Sequence, residues 1–508
     1  FWDYSKIIGN KGKEIIRKDK SFNKTKFFPD SRINYSENIL KNKTNDIAIN
    51  FLSEAGFEEN ISWNLLYKKV CKFSDYLKSL NLEKGDRVAA YVPNKIESII
   101  AFLACAKNGI IWSSCSPDFG EQGVVDRFKQ IEPKILITSD YYFYNGKKIN
   151  ILEKVKNILT KIPTIKKTIV FPYNQKEKTT FENFVDFNEV LNNSNLDENF
   201  ERFDFNHPIY VLYSSGTTGK PKCITHGAGN VLIEHNKEFI LHCDIKNKEK
   251  LFYFTTTGWM MWNWLIGGLA TGSSIFLYDG SPTYPKIDIL LEYCQDKKIN
   301  LFGVSAKYID HLKNENFNGK HLDLNSIKII TSTGSPLAEE SFKYVYDNIK
   351  QDVHLASIAG GTDMVGCLVL GNLYSNVYKG EIQGQSLAID IDVFTEDGKS
   401  TKDGEKGELV VKQPFPSMPV KFWGDDTGEK YHNAYFNRFK NIWHHGDFIE
   451  RTPNNGFIMR GRSDATLNPG GVRIGTSEIY QQVEDIEYIT EGLVVGQDYN
   501  DDVRIILF

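Results

Sequence analysis

The chain has 508 residues, a formal net charge of −4, 25% charged and 41% hydrophobic residues. That length exceeds what one hydrophobic core serves, so two or more domains are expected, and the near-neutral balance excludes a general attraction to nucleic acid or acidic membranes. No stretch approaches the ~18 uninterrupted apolar residues of a membrane span; the seven cysteines, scattered and without metal-ligand spacing, fit a reducing, cytoplasmic setting. Composition carries no signal of oligomeric state. Position 1 is Phe and not Met, so a segment upstream is expected.

Residues 1–43 are polar and Lys/Asn-rich, with aromatic anchors at Phe1, Trp2, Tyr4, Phe27 and Phe28, and read as a wrapping segment. The tract 32–40 predicts a short helix with Tyr35, Ile39 and Leu40 on its apolar side. From position 47 strand and helix signals alternate. Strands are predicted at 47–51, 87–92, 110–112 and 134–138, and helices at 63–80 and 95–108, the second stopped by Gly109. Two short strands, 209–213 and 223–226, flank a Gly/Ser/Thr loop. Further strands follow at 251–255, 274–278, 301–304 and 327–331. This βαβ rhythm argues for doubly wound, largely parallel sheets in two α/β halves, 44–200 and 201–377. After 378 the texture becomes short strands and Gly turns, which predicts a β-rich subdomain to about 460. Linker chemistry at 456–471 precedes a new amphipathic segment near 476, and the 46 residues from 463 are too few for another domain of normal size, so further C-terminal sequence is expected.

The loop Ser214-Ser215-Gly216-Thr217-Thr218-Gly219-Lys220 suits a polyphosphate. Glycines let backbone N–H groups approach, hydroxyls donate and lysine neutralises. Only two residues separate its glycines and Pro221 follows Lys220, which departs from the Walker spacing and disfavours a kinase or motor NTPase. A solvated hairpin turn has the same composition.

Four later stretches join it: Thr257-Gly258-Trp259-Met260-Met261-Trp262-Asn263-Trp264; Ser357-Ile358-Ala359-Gly360-Gly361-Thr362-Asp363; His445-Gly446-Asp447; and Gly461-Arg462-Ser463-Asp464, continuing through Asn468-Pro469-Gly470-Gly471-Val472-Arg473 to Ile479. In this order and spacing the five resemble the adenylate-forming acyl-CoA synthetases, over nearly the entire chain. The resemblance implies a large N-terminal domain, 1–462, of two α/β subdomains and a β-rich one, followed from 463 to 508 by a hinge and the start of a smaller, mobile α+β domain. It implies activation of a carboxylic acid by ATP with Mg²⁺ and transfer of the acyl group to coenzyme A.

On that resemblance, Ser214, Ser215, Gly216, Thr217, Thr218, Gly219 and Lys220 grip pyrophosphate, with preorganised donors where negative charge concentrates. Thr362 bonds the α-phosphate. Asp363 holds Mg²⁺ as an oxygen ligand where the family more often has Glu, so the shorter side chain is expected to reach the metal through water. Asp447 takes the ribose hydroxyls with Arg462 beside it; Gly334, Ser335 and Pro336 occupy the adenine-side loop. Asp464 is the hinge, Gly471 lets pantetheine pass close to backbone, and Arg473 reaches the phosphates. His444 and His445 lack metal spacing and are expected to be structural or solvent-facing. The family's catalytic lysine has no counterpart before Phe508 and is expected on sequence beyond it.

For the acid, the family's acetate enzymes close the pocket with a tryptophan where Gly360 stands, so a wider pocket is expected, lined opposite by Trp259, Met260 and Met261, with Thr333 offering a hydroxyl. The Gly-Trp-Met-Met-Trp-Asn-Trp string resembles the acetoacetate-using branch more than its acetate or propionate relatives. Phe119 and Gly120 resemble a loop near the CoA adenine, and Lys147 and Lys148 lie near where relatives place arginines for its phosphate. A short- or medium-chain or branched acyl-CoA synthetase and a catalytically silent nucleotide-binding protein are the alternatives.

Overall fold

The computed structural model describes residues 1–177, 183–214, 220–463, 466–472, 474–475, 479, 483, 493–500 and 502–508. Its first sheet has eight strands in the order Val185–Asp186, Lys167–Phe171, Ile135–Ser139, Arg87–Tyr91, Ile111–Cys115, Pro208–Ser214, Lys222–Gly227 and Lys421–Phe422. The first six are paired parallel, and Lys222–Gly227 is antiparallel to both of its neighbours. The second sheet has seven, His354–Ser357, Ile329–Thr333, Leu301–Ser305, Lys250–Tyr253, Ser274–Asp279, Ile47–Ser53 and Glu58–Ser62. It is parallel up to its final hairpin.

The α/β class and the alternating strands match the sequence pattern, but the two sheets are not consecutive halves of the chain. The hairpin beginning at Ile47 sits in the second sheet, and the hairpin that carries the Gly/Ser/Thr loop completes the first. Ile209, Tyr210, Val211 and Leu212 are all buried. A run with both faces apolar needs an interior place, and the flank of Ile111–Cys115 supplies it.

Helix Ile96–Lys107 is predominantly apolar and buried at every residue, and it lies against strands of both sheets. Lys95, at its N-cap, is fully buried; it pairs with Glu59 at 2.8 Å and lies 4.3 Å from the centre of the Phe51 ring. Polar side chains close the seam between the sheets. Asp279 accepts from the Asn94 backbone at 2.9 Å and from the Tyr173 hydroxyl at 2.8 Å. Asn94 in turn donates to the Thr255 carbonyl and accepts from Trp262 Nε1 at 3.0 Å. Thr257 Oγ1 donates to Val92 O at 2.6 Å, and Ser114 Oγ to Thr257 O at 2.7 Å. The loop entering helix Met260–Gly267 is thereby anchored to strand ends of the first sheet.

The N-terminal segment wraps as expected, with Arg32–Ile33 paired to Gly9–Asn10 and to Phe203–Asp204. Asn34 caps helix Tyr35–Ile39 and donates to the carbonyls of Lys107 and Glu201. The β-rich region is a four-stranded antiparallel sheet, Ile391–Phe394, Lys406–Val411, Trp443–Arg451 and Phe457–Arg462, with its own core around Trp443, Leu409 and Phe415. Among the described residues no helix is long and apolar enough to cross a membrane, and all seven cysteines are unpaired.

Helix Ala228–Lys237 and the wider π turn Glu238–His242 that extends it present three side chains to one strand, Gly366–Leu370. His235 Nε2 donates to Val365 O and His242 Nδ1 to Gly371 O, both at 2.9 Å, while Glu238 accepts from Cys367 N at 2.6 Å. Burial pushes His235 down to about 4. Its folded value lies below the ordinary 6.5, so acidification protonates the unfolded chain first, and the neutral ring costs stability as pH falls below about 6.5. The variant His235→Gln keeps a donor but does not titrate. Its stability deficit relative to the wild type, read from urea unfolding, should therefore narrow by about 1 kcal/mol between pH 7.5 and pH 5.5; an unchanged deficit would mean that the ring is not held neutral.

Candidate functional site

A cavity of about 220 Å³ opens where strand ends of the second sheet meet the loop at Trp259 and the last strand of the β-rich sheet. Trp259, Met260 and Met261 form one wall. Thr333, Gly334, Ser335 and Pro336 follow strand Ile329–Thr333 onto its rim, Gly360, Gly361 and Thr362 make its floor, and Asp447, Arg462 and Gly471 close the other side. The chain thus brings into one space residues that sequence reading assigned separately to an acid and to a nucleotide.

The floor is backbone. Strand Ala359–Gly361 pairs antiparallel with Gly366–Leu370 through an irregular register at Ala359/Gly360. A Cβ at Gly360 would stand 2.1 Å from Gly366 O and 2.6 Å from Cys367 Cα. This corrects the expectation that glycine here simply leaves a side chain's volume vacant: the neighbouring strand already occupies that direction. Gly366 is itself pressed from behind, since a Cβ there would lie 2.7 Å from Glu234 Oε1 and 3.0 Å from Glu238 Oε1. Glu238 is fully buried, and burial together with Glu234 holds its carboxyl well above the ordinary glutamate range. Lys237 bridges Glu234 and the Ser386 hydroxyl at 2.8 and 2.7 Å.

Between the two strands the chain turns tightly. Met364 N and Val365 N both donate to Gly361 O, and Val365, buried and β-branched, is held at φ 55. Such a conformation persists only where surroundings over-determine it, and the His235 bond to the Val365 carbonyl is one of those constraints. Asp363 lies on this turn. It is buried, and its Oδ1 accepts from the Tyr435 hydroxyl at 2.6 Å. A Cβ at Gly361 would stand 3.4 Å from Asp363 Oδ2, so that oxygen lies beside Gly361, which lines the cavity while the buried Asp363 does not.

Asp447 and Arg462 are cross-strand partners, with Arg462 Nη1 donating to Asp447 Oδ1 at 2.7 Å and His445 Nε2 lying 3.5 Å from Oδ2. His444 instead bonds Glu408 at 2.8 Å, a structural role as expected of it. Among the described residues no three His, Cys, Asp or Glu side chains cluster as a metal cage. One carboxylate beside the cavity lining fits Mg²⁺, which keeps waters and substrate phosphates as its other ligands.

Ser214 is buried at the end of its strand and Lys220 is exposed; Ser215, Gly216, Thr217, Thr218, Gly219, Asp464 and Arg473 lie outside the described residues. Phe119 packs where a Gly258 side chain would be, 2.8 Å from that Cβ position, and lies 4.8 Å from the Arg127 guanidinium. Gly120 caps the helix that follows. Lys147 and Lys148 fall on an exposed hairpin, Lys148 over the Tyr141 ring, and neither lines the cavity. Sequence reading missed Tyr435, Cys367, Ile382 and Met459. Tyr435 sits 72 residues beyond its partner Asp363, on a short helix of another subdomain, and no local pattern marks it.

A family model described as AMP-binding enzyme matches residues 37–418. The acetoacetyl-coenzyme A synthetase of Rhizobium meliloti (strain 1021) is 48% identical over 512 residues, covering 100% of this chain and 78% of that protein. The acetoacetyl-CoA synthetase of Gallus gallus is 42% identical over 529 residues with the same coverage. A solved structure of acetoacetyl-CoA synthetase from Streptomyces lividans superposes with a TM-score of 0.87 at 35% identity, covering 100% of this chain and 78% of that one.

The Gly360 contact makes a prediction opposite to a simple pocket-filling one. Gly360→Ala should lower stability by about 1–3 kcal/mol, the range for overpacking, because the methyl group meets backbone and not cavity. Urea unfolding measures it, and a change below about 0.5 kcal/mol would show that a side chain is accommodated at this position.

Proposed function

Because this chain belongs to the AMP-binding enzymes, and among them to the acetoacetyl-CoA synthetases, we propose that it ligates acetoacetate to coenzyme A, consuming ATP and releasing AMP and pyrophosphate. The observation that carries this reading is the single cavity that joins an apolar wall, Trp259, Met260 and Met261, to the polar side of Thr362, Asp447 and Arg462. An acid held on the first side has its carboxylate at the second.

In the first step a carboxylate oxygen of the acid attacks the α-phosphorus of ATP, and the bond to the β-phosphate bridging oxygen breaks, expelling pyrophosphate. In the second the CoA thiol gives up its proton, its sulfur attacks the acyl carbonyl carbon, and AMP leaves. Charge accumulates on phosphate oxygens in the first step, so donors already in place lower its barrier. Ser214 and Lys220 bracket the loop that takes the pyrophosphate, with Ser215, Gly216, Thr217, Thr218 and Gly219 between them. Thr362 lies on the cavity floor in reach of the α-phosphate, Asp447 accepts from the ribose hydroxyls while Arg462 holds its carboxylate, and Gly334, Ser335 and Pro336 flank the adenine. Mg²⁺, when bound, neutralises phosphate charge, and Asp363 is the carboxylate that would hold it. Gly471, whose own Cβ position is 3.2 Å from Gly334 Cα, leaves only backbone on the side where pantetheine would enter. Arg473 and the pivot at Asp464 complete the assignment. Seven unpaired cysteines support a reducing, cytoplasmic location.

Acid choice follows from shape. The floor at Gly360 and Gly366 is backbone, the wall is tryptophan and methionine, and Thr333 places a hydroxyl on the rim suited to a keto oxygen. The purified protein supplied with ATP, Mg²⁺ and CoA should release AMP with acetoacetate at a kcat/KM at least about tenfold above that for acetate or butyrate, the discrimination that one or two pocket contacts provide. A preference for acetate or for longer acids would overturn the substrate while keeping the reaction class, and AMP release with no acid in a broad panel would leave a nucleotide binder.

A further inference from the structure

Asp363 lies buried beside Gly361, a residue of the cavity lining, and it does not stand there unaided. Its Oδ1 accepts from Tyr435 at 2.6 Å, and Tyr435 has almost no freedom. The residue ends helix Glu429–Tyr435 and is 2% exposed. Its ring stacks on Trp443 with centroids 3.7 Å apart and planes 13° from parallel, and meets Phe422 edge-on at 5.6 Å. Lys222, on the strand leaving the phosphate loop, lies 6.0 Å from the ring centre. A phenol packed on this many sides holds its hydroxyl at one place, and the donated bond then fixes the plane of the carboxylate it meets.

An aspartate carries its carboxylate one methylene closer to the backbone than a glutamate and has less reach with which to compensate for a wrong rotamer. Oδ2 is the oxygen nearer the cavity lining, 3.4 Å from the Gly361 Cβ position, which itself lies 3.8 Å from His445 Nε2. We propose that Tyr435 is a positioning residue for the metal-bearing carboxylate: its hydroxyl holds Asp363 in the rotamer that sets Oδ2 beside Gly361 of the cavity lining. The proposal rests on the reading of Asp363 as the residue that holds Mg²⁺. It also gives the β-rich subdomain a part in metal binding, because Tyr435 and the Trp443 it stacks on both belong to that subdomain, and Trp443 precedes His445 and Asp447 on one strand.

The test separates this role from a merely structural hydrogen bond. ATP affinity is measured by calorimetry with excess EDTA and again with saturating Mg²⁺, for wild type, Tyr435→Phe and Asp363→Asn; the ratio of the two affinities is the gain that the metal brings. Both variants should keep the EDTA affinity within about twofold. Asp363→Asn should abolish the gain, and Tyr435→Phe, which removes one oxygen and keeps the ring, should cut it at least about tenfold, the lower end for loss of a partner that orients a metal ligand. Half-saturating Mg²⁺ for turnover should rise similarly in Tyr435→Phe, with KM for the acid unchanged. If Asp363→Asn keeps the gain, the metal assignment itself is wrong and the proposal falls with it. A gain lost in Asp363→Asn but intact in Tyr435→Phe overturns the role of Tyr435 alone. A Tyr435→Phe protein weakened equally with and without metal makes the tyrosine structural and also overturns it.

Discussion

A carbonyl oxygen sets the depth of the cavity. Gly366 O stands where a Cβ at Gly360 would be, so two strands approach more closely than any side chain between them would permit. Everything placed on the tight turn joining those strands inherits that approach. Thr362 reaches the floor, Asp363 is drawn beneath it and Val365 is held in a left-handed conformation that costs on the order of 1–2 kcal/mol. Three polar side chains of one buried helix and its π turn, His235, Glu238 and His242, bond the backbone along this strand and offset the strain.

The same arrangement explains why so many ionisable groups are buried outside the reacting space. Glu234, Lys237 and Glu238 satisfy one another and neighbouring backbone or hydroxyl groups, and each sits within the layer behind Gly366 and Cys367. A polar cluster of this kind is costly to leave half satisfied and specifies one packing when complete. The seam between the sheets uses the same device. Asp279, Asn94 and Tyr173 fix the approach of the loop that delivers Trp259 and Met260. Cavity floor and cavity wall are thus each held by hydrogen-bonded networks that make no contact with the cavity themselves.

Much of the candidate site was legible because its residues lie in short runs whose order and spacing resemble those of the adenylate-forming acyl-CoA synthetases, although each run read singly is a weak signal. Trp259 to Met261, Gly334 to Pro336, Gly360 to Thr362, Asp447 with Arg462, and Gly471 were separate runs in the sequence, and the fold places them around one cavity. Lys147 and Lys148 show the limit of such reading: two adjacent lysines marked a solvated hairpin, and Lys148 is engaged with the Tyr141 ring. The division into two successive α/β halves erred for a related reason. Periodicity reports which faces of a strand are buried, whereas neighbours in a sheet are chosen by matching those faces over hundreds of residues. Ile47–Ser53 accordingly pairs with Ser274–Asp279.

By itself the sequence determined the class of fold, the order of its strands and helices along the chain, and the set of residues suited to phosphate, carboxylate and apolar contact, since each depends on spacing within a few turns or strand lengths. Tertiary structure alone decided how deep the pocket is and how the acidic residue beside it is held. The first depends on two backbones meeting at Gly360 and Gly366, atoms that every residue possesses and that leave no mark in composition. The second depends on a hydroxyl from Tyr435, brought to Asp363 across 72 residues by packing in a core that Met364 and Trp443 share.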